Sequence, residues 1–373
     1  MVTPLSPALA TQLVLWGGLA IGAVLGALAQ ATRFCTMGAL ADWFAFGGRA
    51  RLMMWLLAVM VAATGSLALA AFGWLDPTRT LPWASRLPWL SCLVGGAIFG
   101  AGMVLASGCP QRNLVRAGAG SLKAVVTLVV TALAAQMTLR GVLGAARVRW
   151  LDPAALQLAT PQDLGSLLAA LTGGQAGALR WALLALLLAT GAVLLWRARA
   201  SLQWGDWLGG AGVGLLVTAG WALTGHLGYL AENPDTLEPA WMGTYSHRPE
   251  SLSFVAPLAQ GLDLLTLWTD NNAAASFGML VALGVLLGSA VSARWRGEFH
   301  VEAYTGAADL VRHLVGAVMM GFGGVTALGC SIGQGITGLA MLSAGSVLAV
   351  AGIVAGALGA LQLQARQLER QAA

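Results

Sequence analysis

The chain has 373 residues, 58% of them hydrophobic and only 9% charged, with a mean hydropathy of +0.76 and a formal net charge of +5. That composition cannot clothe a soluble fold in polar surface; it reads as a polytopic membrane protein surrounded by lipid, with room for about eight to ten helical spans. A modest charge with no basic run and no interleaved stacking aromatics excludes nucleic acid as a partner, and four widely spread Cys form neither a disulfide framework nor a zinc pattern, so no metal or other cofactor is expected.

Nine segments are long and apolar enough to cross a bilayer: 12–30, 52–73, 90–107, 122–140, 179–197, 207–225, 275–293, 310–328 and 345–363. No Lys or Arg precedes Arg33, so the basic stretch of a secretory signal is missing and the first span is expected to be retained. An odd number of spans puts the termini on opposite sides. With the N-terminus outside and the C-terminus cytoplasmic, thirteen of the twenty basic residues fall inside, and the acidic loop 226–274 falls outside. Loop 140–178, with Arg140, Arg147 and Arg149, dissents from that orientation.

Residues 93–109 match 314–330 at nine of seventeen positions without a gap, and both stretches end in Gly-Cys, at Gly108-Cys109 and Gly329-Cys330. Five spans separate the two copies, so they would cross in opposite directions. A weaker match of Gly17, Gly18 and Gly22 with Gly209, Gly210 and Gly214 has the same separation. The expected fold is therefore an all-α integral membrane protein of inverted halves, residues 1–178 and 179–373, with broken helices near the midplane. Short re-entrant helices are expected near 36–46, 110–119, 252–259 and 331–342.

Three semi-polar stretches interrupt the spans: ATRFCTMGALADW (31–43), SGCPQRNLVRAGAGSLKA (107–124) and GCSIGQGITGLAMLSAGS (329–346). Each places a Cys where a helix would break. Pro110 suits the first turn of a new helix, and Gly108 and Gly329 would allow a sharp turn and close ligand approach. Half-helices starting after Cys35, Cys109 and Cys330 would aim free N–H groups at the thiols, which favours anions over cations. Arg33, Arg112 and Arg116 would make the inner mouth positive, although Arg33 reads equally as a snorkelling interfacial residue. A neutral thiol is a weak donor and a soft acceptor, able to touch a sulfur anion without holding it.

Plainer readings stand beside these. Cys92, in the body of a span and without a counterpart, reads as packing, and Cys35, also without a Cys counterpart, is undecided on sequence logic. Gln111, Asn113, Ser331, Gln334 and Thr337 are either polar lining or caps for half-helices. His226 reads as a structural histidine, and Met319, Met320 and the Trp residues as packing and interfacial anchors. No nucleotide-binding loop, dinucleotide fingerprint or nucleophile elbow is present.

At ATRFCTMGALAD, SGCPQRNLVRAGAGSLKA and GCSIGQGITG the chain resembles the YeeE/YedE sulfur-transport family of bacterial inner-membrane proteins, and the span pattern agrees over nearly the whole length. The resemblance implies uptake of thiosulfate ion into the cytoplasm through an hourglass of inverted halves. It also implies that Cys35, Cys109 and Cys330 line a narrow path and relay the anion by transient S–H···S contacts, and that a small cytoplasmic sulfur carrier of the TusA type is a possible partner. Relatives linked to selenium metabolism leave a related sulfur or selenium species open as substrate. The rival from another class is a membrane thiol sulfurtransferase forming a persulfide on Cys109 or Cys330; Arg112 is close in sequence to Cys109, but Cys330 has no such neighbour. A structural scaffold is the third reading.

Overall fold

Local chemistry sets the helix ends. In the computed structural model, which describes residues 6–234, 237–270 and 274–372, the first helix α1 (Pro7–Thr32) starts with the Ser6 hydroxyl accepting the Leu9 N–H at 3.3 Å and Pro7 in the first turn. It stops at Arg33, whose left-handed backbone (φ 56°) turns the chain into α2 (Thr36–Phe46). Then come α3 (Ala50–Ala71), α4 (Trp89–Leu105), the short α5 (Pro110–Gly118), α6 (Leu122–Arg140), α7 (Val142–Trp150), α8 (Leu164–Thr172), α9 (Ala176–Ala198) and α10 (Trp204–Ala222). A widened π turn, Leu223–Leu227, ends α10; α11 (Val255–Thr266), α12 (Phe277–Trp295) and α13 (Ala307–Thr326) follow, and a second π turn, Gly333–Gly338, leads to α14 (Ala344–Ala372).

Among the described residues, nine helical stretches are long and apolar enough to cross a membrane, each overlapping one of the nine expected spans. The chain is an all-α integral membrane protein. Of the short helices, α2 and α5 fall where the sequence put them. The third begins at Val255 rather than 252, because residues 247–254 run as an irregular segment opened by His247 at φ 52°. Within 331–342 the turns are π rather than α, in a glycine-rich stretch, GQGITG, where backbone widening meets little side-chain resistance. The expected division after residue 178 falls inside the first turn of α9.

The helices pack in a reciprocal pattern: α1 lies along α12 and α10 along α3, while α4 lies along α14 and α13 along α6. In the middle, α4 crosses α13 antiparallel at glycines. A Cβ on Gly95 would lie 2.6 Å from Ala327 N, and one on Gly316 2.7 Å from Ala106 N; the duplicated pair Gly102 and Gly323 face Gly316 O and Gly95 O in the same way. Small residues at such a crossing let backbones touch, which is what drives helix association in lipid.

Loop 140–178 is not open chain. It carries α7 and α8, and its strand Leu156–Gln157 pairs with Arg86–Leu87. Asp163, fully buried, caps α8 through the Ser166 N–H at 2.9 Å and pairs with Arg180 at 2.8 Å, while Arg180 lies 4.2 Å over the Trp83 ring. One basic residue of the region, Arg147, is likewise paired locally, with Asp152 at 3.2 Å.

Candidate functional site

The three helix breaks share one construction. Arg33 (φ 56°), Ser107 (φ 55°) and Leu328 (φ 60°) each adopt the left-handed conformation two residues before a Cys. Ser107 and Leu328 thus carry the left-handed turn, and Gly108 follows with a positive φ of its own, 157°. What the glycines supply is room: a Cβ on Gly108 would sit 3.1 Å from Arg112 Cγ, and one on Gly329 3.1 Å from Gln334 Cγ.

After two of the turns the Cys side chain caps the helical segment that follows: the Gly38 N–H donates to Cys35 Sγ at 3.3 Å and the Gly333 N–H to Cys330 Sγ at 3.4 Å. Cys109 takes the same position before α5, with the backbone of Arg112 nearby but no capping hydrogen bond. All three sulfurs thus sit at the starts of short helical turns, where N–H groups lack intrahelical partners and partial positive charge collects. The amide four residues after each duplicated Cys fastens its break: Asn113 Nδ2 donates to Gly108 O at 2.9 Å, and Gln334 Nε2 to Ala327 O at 2.7 Å.

The breaks converge. Cys109 and Cys330 are completely buried and Cys35 is 8% exposed; the Cys109 thiol has both of the others and Ser331 as neighbours. Around them lies a set of buried polar atoms with no hydrogen-bond partner among the described residues: both amide atoms of Gln111, Ser331 Oγ, Thr36 Oγ1, Trp55 Nε1 and Arg112 Nη1. Ser331 approaches the Cys109 thiol without full hydrogen-bond geometry. Thr36, Trp55 and Ser331 border one small cavity of about 90 Å³, whose open surface is apolar. Each buried unpaired group costs about 1–3 kcal/mol, and native proteins rarely gather several in one place without a use for them.

Two larger cavities flank this centre. One, of about 540 Å³, is lined by Arg33, Arg51, Arg112 and Arg116 together with Glu298 and Glu302. Arg51 pairs with Asp42 at 3.3 Å and Arg116 with Glu302 at 2.9 Å; among the described residues Arg33 and Arg112 have no carboxylate at ion-pair distance. The basin is thus positive overall. Its wall is braced by Lys123, which bridges Glu302 at 3.4 Å and Asp309 at 3.0 Å. Burial alone would push the Glu302 carboxyl up, but hydrogen bonds from Arg116 and Ser121 and the charges of Arg116 and Lys123 outweigh it, holding it at about 2. A depressed carboxylate contributes stability fully above its ordinary range near 4.5 and loses it as pH falls toward about 2. Thermal unfolding followed from pH 6 down to pH 3 is expected to fall more steeply in the wild-type protein than in Glu302→Gln; equal slopes would remove Glu302 from the acid response.

The other cavity, of about 450 Å³, is lined by apolar side chains interspersed with hydroxyls and amides, among them Gln334 and Thr337. Both have structural duties as well: Gln334 Oε1 accepts from Ser346 Oγ at 2.5 Å, and Thr337 Oγ1 donates to Leu252 O at 2.8 Å. Cys92 is 1% exposed, packs on Ala327 and Ala349, and belongs to the wall of this cavity. His226 is apart from the thiols, stacked on Trp74 at 4.8 Å. Sequence reasoning missed Thr36 and Trp55. Thr36, directly after Cys35, was open to it; Trp55 reads from sequence as ordinary packing. Among the described residues no group of His, Cys, Asp and Glu is placed to hold a metal ion.

Comparison with known proteins bears on this geometry. The chain is 27% identical over 350 residues to a protein of Escherichia coli (strain K12) named thiosulfate transporter TsuA, covering 87% of this chain and 88% of that one. It is 26% identical over 347 residues to a protein of the same name from Spirochaeta thermophila, covering 90% and 94%. The family model described as Sulphur transport matches residues 31–359, from just before the first thiol to beyond the last, and the chain belongs to that family.

Proposed function

We propose that this protein is a bacterial inner-membrane permease that takes thiosulfate into the cytoplasm, past Cys330, then Cys109, then Cys35, without covalent change. The single observation that carries the reading is the cluster of unpartnered polar atoms near three buried thiols, of which Cys109 neighbours both others, between a cavity carrying hydroxyls and amides and an arginine-lined one. An anion stripped of its water needs replacement donors, and the Gln111 amide, the Thr36 and Ser331 hydroxyls and the Trp55 indole can serve. None of these is a fixed full charge, so contact stays weak enough for release.

The N-terminus lies outside in this reading and the arginine basin faces the cytoplasm, where a TusA-like carrier can receive the sulfur. The two halves, 1–178 and 179–373, are related by inverted duplication; the reciprocal glycine contacts of α4 and α13 support this, since Gly95 and Gly316 occupy matched positions and meet matched partners, Ala327 and Ala106. Uptake of radiolabelled thiosulfate into proteoliposomes of the purified protein tests the function, and no uptake above protein-free vesicles refutes it. Thr36→Val and Trp55→Phe each remove one donor, and each is expected to slow that uptake about tenfold, the equivalent of about 1.4 kcal/mol. Unchanged rates in both would mean that the small cavity is not on the path. Mass spectrometry finding a persulfide on Cys109 after turnover would replace passage by sulfur transfer.

A further inference from the structure

The start of α13 buries an ion network for which passage past three thiols has no use. His313, one turn after Asp309, is 2% exposed. Its Nδ1 lies 2.8 Å from Asp309 O and 3.1 Å from Asp309 Oδ1. Both are acceptors, so Nδ1 carries the hydrogen, and in the neutral ring Nε2 keeps a bare lone pair. That nitrogen is buried and has no partner among the described residues. From Asp309 the network continues link by link: Lys123 bridges Asp309 and Glu302, Glu302 takes Arg116 at 2.9 Å, and Arg116 Nη1 donates at 3.4 Å to the carbonyl of Ser107, the left-handed residue before Cys109. Arg116 and Glu302 also line the arginine basin. The remaining titratable or charged groups packed against α13 are engaged or distant. Arg312 pairs with Asp309 at 3.4 Å, and Tyr304 sets its ring edge-on to the imidazole at 5.5 Å while its hydroxyl donates to Lys123 O. Asp263 of α11 is held by Arg140 of α6, and α4 brings only Cys92, in the wall of the other cavity.

We propose that His313 is a proton-binding site whose proton enters the cell with the anion, so that uptake is proton-coupled. It goes beyond the thiosulfate reading and rests on it for substrate and direction. An ionisable side chain buried within a membrane span is costly, and such groups mark ion paths and proton relays. The missing partner of a lone pair is a donor, and the smallest is a proton. Loading adds H⁺ to Nε2 and release removes it; no bond of the anion breaks. Once charged, the ring is a third cation on Asp309, beside Lys123 and Arg312. Lys123 then leans on Glu302, which slackens the hold of Glu302 on Arg116 and frees that guanidinium for an anion in the basin. Such coupling is reciprocal: an anion in the basin tightens the hold of His313 on its proton by the same factor. The benefit is electrical. A dianion entering a cell that is negative inside works against the membrane potential with both charges, and each proton that accompanies it cancels one.

The test is proteoliposomes of the full chain, loaded with a pH-sensitive dye and given radiolabelled thiosulfate outside. With the outside at about pH 6 and the lumen at about pH 7.5, initial uptake is expected to run about tenfold faster than with both sides at about pH 7.5, and the lumen acidifies as the anion enters. His313→Gln can still donate to Asp309 but cannot take up the proton. It is expected to respond to the gradient less than about twofold, without acidification. Wild-type uptake that ignores the gradient and leaves the lumen unchanged overturns the coupling, and a His313→Gln protein as responsive as wild type removes His313 from it. Should His313→Gln fail to fold, or wild type carry no thiosulfate, a second protein decides. His226→Gln, His247→Gln and His300→Gln together, all at exposed positions, leave His313 as the one imidazole of the chain. Nitrogen-15 spectra of that solubilised protein at about pH 5 and about pH 8 read the protonation of its ring. A ring that gains its proton at the lower pH upholds the site whatever becomes of transport, and one whose spectrum is the same at both ends it.

Discussion

Replacing Cys109 by Ala is expected to reduce thiosulfate uptake at least a hundredfold, whereas Cys92→Ala stays within twofold of wild type. Cys109 is wholly buried and is the thiol that neighbours both of the others, so on the proposed path an ion moving between Cys330 and Cys35 passes it. A hydrogen bond to a charged group is worth about 1.5–3 kcal/mol, and a dehydrated anion that loses one regains nothing from solvent. A deficit of about 2.8 kcal/mol is a hundredfold in rate. Cys109→Ser keeps a small donor at the same place, but its oxygen is harder and binds anions less reversibly, so uptake about tenfold below wild type is expected. Growth on thiosulfate as sole sulfur source reports the same order. Near-normal growth of Cys109→Ala would dissolve the relay.

The second large effect is on folding. Gly323→Val places a Cβ about 2.5 Å from Phe99 N and close to Gly95 O, in the middle of the α4–α13 crossing. Both obstacles are helix backbone, with no flexible side chain to swing aside. The helices must separate, and the cost is expected at or above the upper end of the overpacking range, about 3 kcal/mol. Since α4 ends at the Cys109 break and α13 at the Cys330 break, separation also pulls the two thiols apart. Size-exclusion chromatography should show little monodisperse Gly323→Val protein. Gly177→Ala is the control, because a Cβ there meets nothing within 4 Å and should leave the elution profile unchanged. A well-folded, active Gly323→Val would mean that the crossing is looser than its contacts imply.

What the sequence made legible was whatever depended on local apolar runs and their interruption. The breaks before α2 and α5 are written in Arg-Phe-Cys-Thr and Gly-Cys-Pro, and both helices begin where those words end. The start of α11 has no such word: Leu252 to Phe254 continue an irregular segment, and only tertiary contacts such as Thr337 on Leu252 O fix it. Positive φ at Ser107 and Leu328 was hidden because neither residue type favours that conformation. Trp55 could not be told from a packing residue, since its significance lies in an indole N–H left unpaired by the fold. The Arg116–Glu302 pair joins residues 186 positions apart, beyond the reach of any local pattern.

Cys35 and Cys330 have a double burden on the proposed path, since each sulfur also receives an N–H from the first turn of a helical segment. Oxidation of either to a sulfinate would add bulk and charge where neither fits, and would disturb the N–H it now receives. Blockage and local unwinding would arrive together. A protein built this way works only in cells that keep its thiols reduced.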